Sequence, residues 1–305
     1  MKFNLVILTG LLLSAFFFIS SCSSADLIIN AEETNGEDCS VNDLDDLENT
    51  ISNLDQEQST EHERLDENEM TFRVVIYAGA GSWDENVITL QYFFEEYGYS
   101  WSIIDENASP VENFNEEFEL IWFPGGFASE YRYDSLDHEL IRSFVKNGGV
   151  FVGSCAGAYY ASERLLWLYT DDGEPVEIEY PLKLFEGIAV GPLVGFINWG
   201  DKASVYLVED HPANLNFNSA IEIYYMDGPY FEPDREDAVE ILARYTANNK
   251  PAVIAGRYGD GKYLLLGPHP EFGDYYHDYL YLDKNNTGTV QWLWLQSVLQ
   301  WLIDW

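Results

Sequence analysis

Four short apolar runs, each ending in a glycine-containing loop, restrict the possible folds of this chain more than anything else in its sequence. Arg73-Val-Val-Ile-Tyr77 breaks at Ala78-Gly-Ala-Gly81, and Leu120-Ile-Trp-Phe123 breaks at Pro124-Gly125-Gly126. Val150-Phe-Val152 runs into Gly153-Ser-Cys-Ala-Gly157, and Tyr263-Leu-Leu-Leu266 runs into Gly267-Pro-His-Pro-Glu271. Runs this short with so little polar alternation read as strands covered on both faces. Between them, Val87, Leu90, Phe94 and Tyr97 recur at helical spacing and stop at Gly98. Leu140, Ile141, Phe144 and Val145 form a second helical face, closed by Asn147-Gly148-Gly149 as a left-handed cap. Residues 101–104 read as a further strand. Such alternation predicts an α/β fold with a parallel sheet. The second half is richer in strands, at 203–208, 221–225, 238–245, 252–258 and 263–266, with Gly259-Asp-Gly261 as a hairpin turn. The Leu- and Trp-rich stretch 290–303 can bury one helical face. No internal repeat and no domain boundary is visible after residue 70.

The first 70 residues have a different character. Lys2 precedes an apolar run from Leu5 to Ile19, then the small residues Ser20 and Ser21, then Cys22. Residues 1–22 are too short and wrongly flanked for a good transmembrane helix and read as a signal peptide. The run Ile19-Ser20-Ser21-Cys22 resembles a bacterial lipobox, which implies cleavage before Cys22 and lipidation of that cysteine. Ser23, in place of Asp, suits outer-membrane sorting. Residues 23–70 hold sixteen acids, one base (Arg64) and no aromatic residue. Such a stretch cannot bury enough surface to offset its ordering entropy, so it reads as an acidic, self-repelling tether. Leu44, Leu47, Ile51 and Leu54 have the spacing of a transient helix, and Cys39 reads as incidental. The expected location is the cell envelope, with a membrane anchor at Cys22 and a domain of residues 71–305 held away from the lipid.

The 305-residue chain carries 53 Asp and Glu against 15 Lys and Arg, a formal net charge of −38. A field of that sign repels duplexes, RNA and anionic lipid surfaces, so no nucleic-acid partner is expected. Three cysteines in three different contexts are too few and too scattered for a disulfide framework or a zinc site, and no metal or cofactor is expected. Gly79-Ala-Gly81 with Ser82 lies at a strand end, where open α/β sheets bind ligands, but lacks the full dinucleotide fingerprint.

Gly153-Ser154-Cys155-Ala156-Gly157 has the form of a nucleophile elbow with Cys in place of Ser. Small residues at both ends avoid collisions at a strained strand-to-helix turn. There the thiol would face the positive end of the following helix, and the helix field and a nearby histidine would both favour the thiolate. The amide of Ala156 would point at a developing oxyanion, with a second donor from the Gly125-Gly126 loop. His269 and Glu271 lie two residues apart on a segment stiffened by prolines, and in extended backbone such residues face the same way. Glu271 could then orient the ring of His269 while its other nitrogen reaches Cys155, the general logic of a catalytic triad. A buried structural cysteine between small residues would look the same, and a lone His-Pro-Glu suits a surface loop. His62, His138 and His211 have no comparable setting, and His277 is close enough to serve as a backup base. Candidate substrate contacts are Ser82, Phe127, Tyr159, Asp227 and Tyr230. Tyr131 and Tyr160 also flank the motifs. Each ring reads more simply as core packing, whereas the Met226-Asp-Gly-Pro229 turn should expose Asp227.

In order and rough spacing these segments resemble class I glutamine amidotransferase-like domains. They are more closely similar to the N-terminal domain of biotin-protein ligases and its stand-alone bacterial relatives. Val74-Val-Ile-Tyr-Ala-Gly-Ala-Gly81, Tyr224-Tyr-Met-Asp-Gly-Pro-Tyr-Phe231 and Gly256-Arg-Tyr-Gly-Asp-Gly-Lys262 carry the closer likeness, which covers about residues 72–303. The resemblance implies a flavodoxin-like, glutamine amidotransferase-like sandwich with a mostly parallel central sheet and a strand-rich second half. It implies Cys155 as nucleophile, His269 as base and Glu271 as its orienter, with Gly125, Gly126 and Ala156 bordering an oxyanion site. It does not extend to the ligase's catalytic, biotin-binding domain or to a synthetase partner, so ligase activity is not expected.

Three functions stay open on the sequence. The first is an envelope enzyme that attacks a small-molecule or peptide amide through a Cys155 thioester. The second is a non-catalytic binding module using the same pocket, and the third a glutaminase subunit feeding ammonia to a partner. The charge suggests life in high salt, with an acidic tether on an ordinarily acidic domain as the plainer alternative. If the surface is built for salt, the melting temperature should rise along a sodium chloride series as counter-ions screen self-repulsion. Greatest stability at low salt would contradict it.

Overall fold

The four apolar runs become four consecutive neighbours of one sheet. A computed structural model describes residues 72–107, 114–134, 137–168, 173–273 and 289–305. The signal peptide, Cys22, the tether with Cys39 and its 44–54 spacing, His62 and His277 lie outside the described residues. The strands are β1 (Arg73–Tyr77), β2 (Ser100–Ile104), β3 (Leu120–Phe123), β4 (Val150–Ser154), β5 (Ser162–Trp167), β6 (Val176–Glu179) and β7 (Phe185–Gly191). They continue as β8 (Lys202–Leu207), β9 (Ala220–Tyr224), β10 (Tyr230–Pro233), β11 (Val239–Tyr245), β12 (Pro251–Tyr258) and β13 (Gly261–Leu266). The helices are α1 (Asp84–Glu96), α2 (Phe114–Glu117), α3 (Ala128–Asp134), α4 (His138–Lys146), α5 (Ala156–Ala161) and α6 (Val290–Asp304).

The main sheet runs β2-β1-β3-β4-β13-β12-β11-β8-β9. From β2 to β13 every pairing is parallel, and from β13 to β9 every pairing is antiparallel. The α/β architecture expected from the sequence is therefore present, and its strand-rich second half supplies the antiparallel extension. The expected hairpin joins β12 to β13 at Gly259-Asp260. Burial on both faces explains why β1, β3, β4 and β13 are mostly apolar, whereas β2, at the end of the sheet, is largely exposed. Val74, Ile76, Trp122, Val152, Leu264 and Leu266 face one core with Leu90 and Phe93 of α1 and Trp292, Leu295 and Leu299 of α6. Their alternates Val75, Tyr77, Phe123, Phe151 and Leu265 face a second core with Ile141, Phe144 and Val145 of α4 and the residues of α5.

A second sheet, β10-β7-β5-β6, adds a layer that the sequence pattern did not announce. Leu165, Phe185, Ala189 and Phe231 carry it into the second core. The reason is composition: Ser-Glu-Arg-Leu-Leu-Trp and Val-Glu-Ile-Glu put charges between the apolar positions, and three of the four β6 residues are exposed. The C-terminal helix α6 is capped by Thr289, whose side chain accepts from the Trp292 amide. The indole of Trp294 donates to Asn214 Oδ1 at 2.8 Å, so its polar edge is satisfied in the core.

Candidate active site

The parallel pairing of β4 with β13 ends at Ser154 opposite Leu266, so Cys155 and the 267–271 segment leave the same sheet edge side by side. The Cys155 amide donates to the Leu266 carbonyl at 2.8 Å, and the His269 amide donates to the Tyr224 carbonyl at the end of β9, also at 2.8 Å. Cys155 has φ 49° and ψ −103°, a strained conformation for a residue with a side chain, at the turn from β4 into α5. The expected need for small flanking residues holds. A methyl group on Gly157 would collide with the Phe123 carbonyl, and one on Gly153 with the backbone of Gly157.

His269 and Glu271 are both fully buried, and Nδ1 of His269 lies 2.9 Å from Oε1 of Glu271. The backbone between them is not the extended segment expected: Pro270–Phe272 forms a 3₁₀ turn with His269 at its N-cap. The carboxylate reaches the ring across the start of that turn. The Trp292 indole holds the turn from behind by donating to the Glu271 carbonyl at 2.8 Å. The ring of His269 sits between Trp83 (centroids 6.4 Å apart) and Phe272 (5.3 Å). Gly125 lies against the ring's edge, where a methyl group would strike Cε1. Burial alone would drive the ring to its neutral form. The charge of Glu271, the charge and contact of Cys155, and the hydrogen bond to Glu271 outweigh burial and raise its pKa from 6.5 to about 10.

One partner was not singled out in the sequence. Asn86, fully buried on α1, donates from Nδ2 to Glu271 Oε1 at 2.7 Å and lies 3.2 Å from Nδ1 of His269. Since Nδ1 carries the proton shared with Glu271, only the carboxylate contact is a hydrogen bond. The available signal was Asn86 at the helical spacing of Leu90 and Phe93, an amide on a buried stripe.

The Sγ of Cys155 donates to the Met226 carbonyl at 3.2 Å. Above it lies a cavity of 470 Å³ lined by Cys155, Ala156, Gly126, Met226, Asp227 and a wall of aromatic side chains. Of the expected contacts, Phe127, Tyr159 and Asp227 line this cavity. Ser82 does not: its hydroxyl turns back to the Gly79 carbonyl at 2.6 Å, and its backbone bridges to Gly126, which props the loop. Tyr230 does not either, because it belongs to β10, where the Lys250 ammonium lies over its ring. Tyr131 and Tyr160 are fully buried in the second core. Ala156 opens α5, where first-turn amides lack an intrahelical acceptor, and Gly126 also lines the cavity. Gly125 sits behind, its carbonyl accepting from the Trp83 amide at 3.0 Å. His138 contacts the Tyr160 hydroxyl, and His211 accepts from the Ala213 amide, so both have structural settings. Among the described residues no cluster of His, Cys, Asp and Glu could hold a metal ion.

Residues 72–292 match the family described as biotin-protein ligase, N terminal. A biotin–protein ligase of Schizosaccharomyces pombe is 27% identical over 187 residues, covering 57% of this chain and 29% of the ligase. An uncharacterized protein of Chlamydia muridarum is 29% identical over 168 residues, covering 52% of this chain and 62% of that protein. The chain thus spans less than two thirds of either relative. A glutamine amidotransferase of Thermotoga maritima, 17% identical, superposes with a TM-score of 0.48 over 77% of this chain and 99% of that one.

His269 should give the protein a pH signature. Its folded value lies above the ordinary 6.5, so the stability it adds is complete below about pH 6.5 and is lost as pH rises towards about 10. Urea midpoints of the wild type should fall across that window, and His269→Gln should lack this part of the fall. Superimposable profiles would show that the ring is not held protonated.

Proposed function

The chain belongs to the family of biotin-protein ligase N-terminal domains, and we propose that it is a cysteine-dependent hydrolase or acyl transferase acting on an amide-type carbonyl. The observation that carries this proposal is Cys155 on a strained elbow, beside a buried His269–Glu271 pair and open to a cavity. Sγ would attack the carbonyl carbon as thiolate, with the oxyanion received by amides of Ala156 and the Gly125-Gly126 loop. As the carbon–nitrogen bond breaks, the Nε2 proton of His269 passes to the leaving amine, giving a thioester. Water, deprotonated by Nε2, then attacks the thioester, releases the acid and regenerates the thiolate. Cys155 and His269 are the catalytic residues. Glu271 and Asn86 are positioning residues, since they act through the ring. A peptide, a cell-wall fragment or a small amide would suit an envelope enzyme.

A second reading, a ligand-binding module without turnover, is favoured by one contact: the thiol donates to the Met226 carbonyl, which competes with its contact to the imidazole. Alkylation with iodoacetamide at neutral pH separates the two. Catalysis predicts that Cys155 reacts at least about tenfold faster than Cys39 and that His269→Ala removes the advantage. A Cys155 no faster than Cys39, and unchanged by His269→Ala, would leave only the binding module.

The envelope location is part of the same proposal: a lipid on Cys22 would hold the domain at the membrane through residues 23–70. Its support is the apolar leader ending in Ser20-Ser21-Cys22. Cys22→Ser should move the protein from the membrane to the soluble fraction, and retention in the membrane would contradict the anchor.

A further inference from the structure

We propose that the cavity over Cys155 selects substrates bearing a positively charged group, an ammonium or quaternary amine, close to the carbonyl that is attacked. This deepens the amide-cleaving proposal by naming its substrate class, and it rests on that proposal only for the chemistry.

Two features of the cavity point the same way. Trp83, Phe127, Tyr159, Trp167 and Trp199 supply aromatic surface, and ring faces attract cations through their quadrupole. The Tyr180 ring also lines the cavity, but the Arg132 guanidinium already lies 5.7 Å from its centroid. Among the described residues that line the cavity, Asp227 is the only Asp, Glu, Lys or Arg. Its carboxylate enters no hydrogen bond or ion pair with the described residues, and burial pushes its pKa up. A carboxylate half-buried among aromatic rings is costly until a cation meets it.

The position of Asp227 is built, not incidental. It stands at φ 60°, and its carbonyl accepts from the Tyr159 hydroxyl at 2.9 Å. The next residue, Gly228, packs so closely on the Gly267 carbonyl that a methyl group would collide. The carboxylate-bearing turn is therefore tied to the segment that carries His269. Met226, one residue earlier, is the one that receives the Cys155 thiol. A cation paired with Asp227 would sit beside the sulfur. The chain's net charge of −38 would also draw cationic ligands towards it.

The test uses the full chain with Cys155→Ser, which cannot turn over, and reads the fluorescence of the three cavity tryptophans. Benzyltrimethylammonium and phenylacetate are titrated at high salt, where the general field is screened. The ammonium compound should bind at least about tenfold tighter, and adding Asp227→Asn should cost it about tenfold while sparing phenylacetate. Asn tolerates the positive φ, so the turn should persist. Equal affinities, no binding of either compound, or a preference untouched by Asp227→Asn would each overturn the inference. Should the double variant not fold, the two-compound comparison in Cys155→Ser decides alone. In the wild type, the rate of Cys155 modification by methyl methanethiosulfonate reports the nucleophile by itself. A slow neutral reagent with intact ammonium selectivity would sink the catalytic proposal and leave the cation site standing.

Discussion

The register of β4 against β13 is the constraint on which the site depends. These strands are separated by more than a hundred residues, yet they pair in parallel and end together at Ser154 and Leu266. The three side chains of the proposed triad then lie one to five residues beyond that last pair: Cys155 after one strand, His269 and Glu271 after the other. A slip of one residue would turn each side chain to the opposite face. The register is held because alternate residues of both strands are buried in different cores, so a slipped strand would exchange the residues that fill both cores.

Around that edge the structure accepts two local costs. Cys155 is held in a strained backbone conformation, and His269 and Glu271 are ionisable groups without exposure to solvent. Removing one member of such a buried pair costs about 3–5 kcal/mol, because the other is left uncompensated. The surroundings answer with specific contacts. Asn86 donates to the carboxylate, Trp292 to the backbone of Glu271, and the Tyr224 carbonyl fixes the amide of His269. These come from α1, α6 and β9, so three distant parts of the chain converge on one imidazole.

How much was legible beforehand follows from which signals are local. Strands buried on both faces write themselves as unbroken apolar runs, so β1, β3, β4 and β13 were readable to within a residue or two. The elbow was readable because only small residues fit at 153 and 157. The small sheet was not, since Glu163, Arg164, Glu177 and Glu179 interrupt its apolar positions. Asn86 was hidden because an amide on an apolar stripe acquires meaning only once Glu271 is seen beside it. Trp167, Tyr180 and Trp199 line the cavity from segments with no motif of their own. Ser82 was expected from its place at a strand end and Tyr230 from nearness in sequence to a motif, and neither position says which way a side chain turns.

What must be true above all is that the sulfur and the imidazole feel one another across the β4–β13 edge. A ¹⁵N NMR titration of the His269 ring in the wild type and in Cys155→Ser measures this directly. The ring should hold its proton well above pH 6.5 in the wild type and lose it at a distinctly lower pH when the sulfur is replaced. Identical titrations in the two proteins would mean that the two strands' loops meet without coupling, and the site would not be a catalytic one.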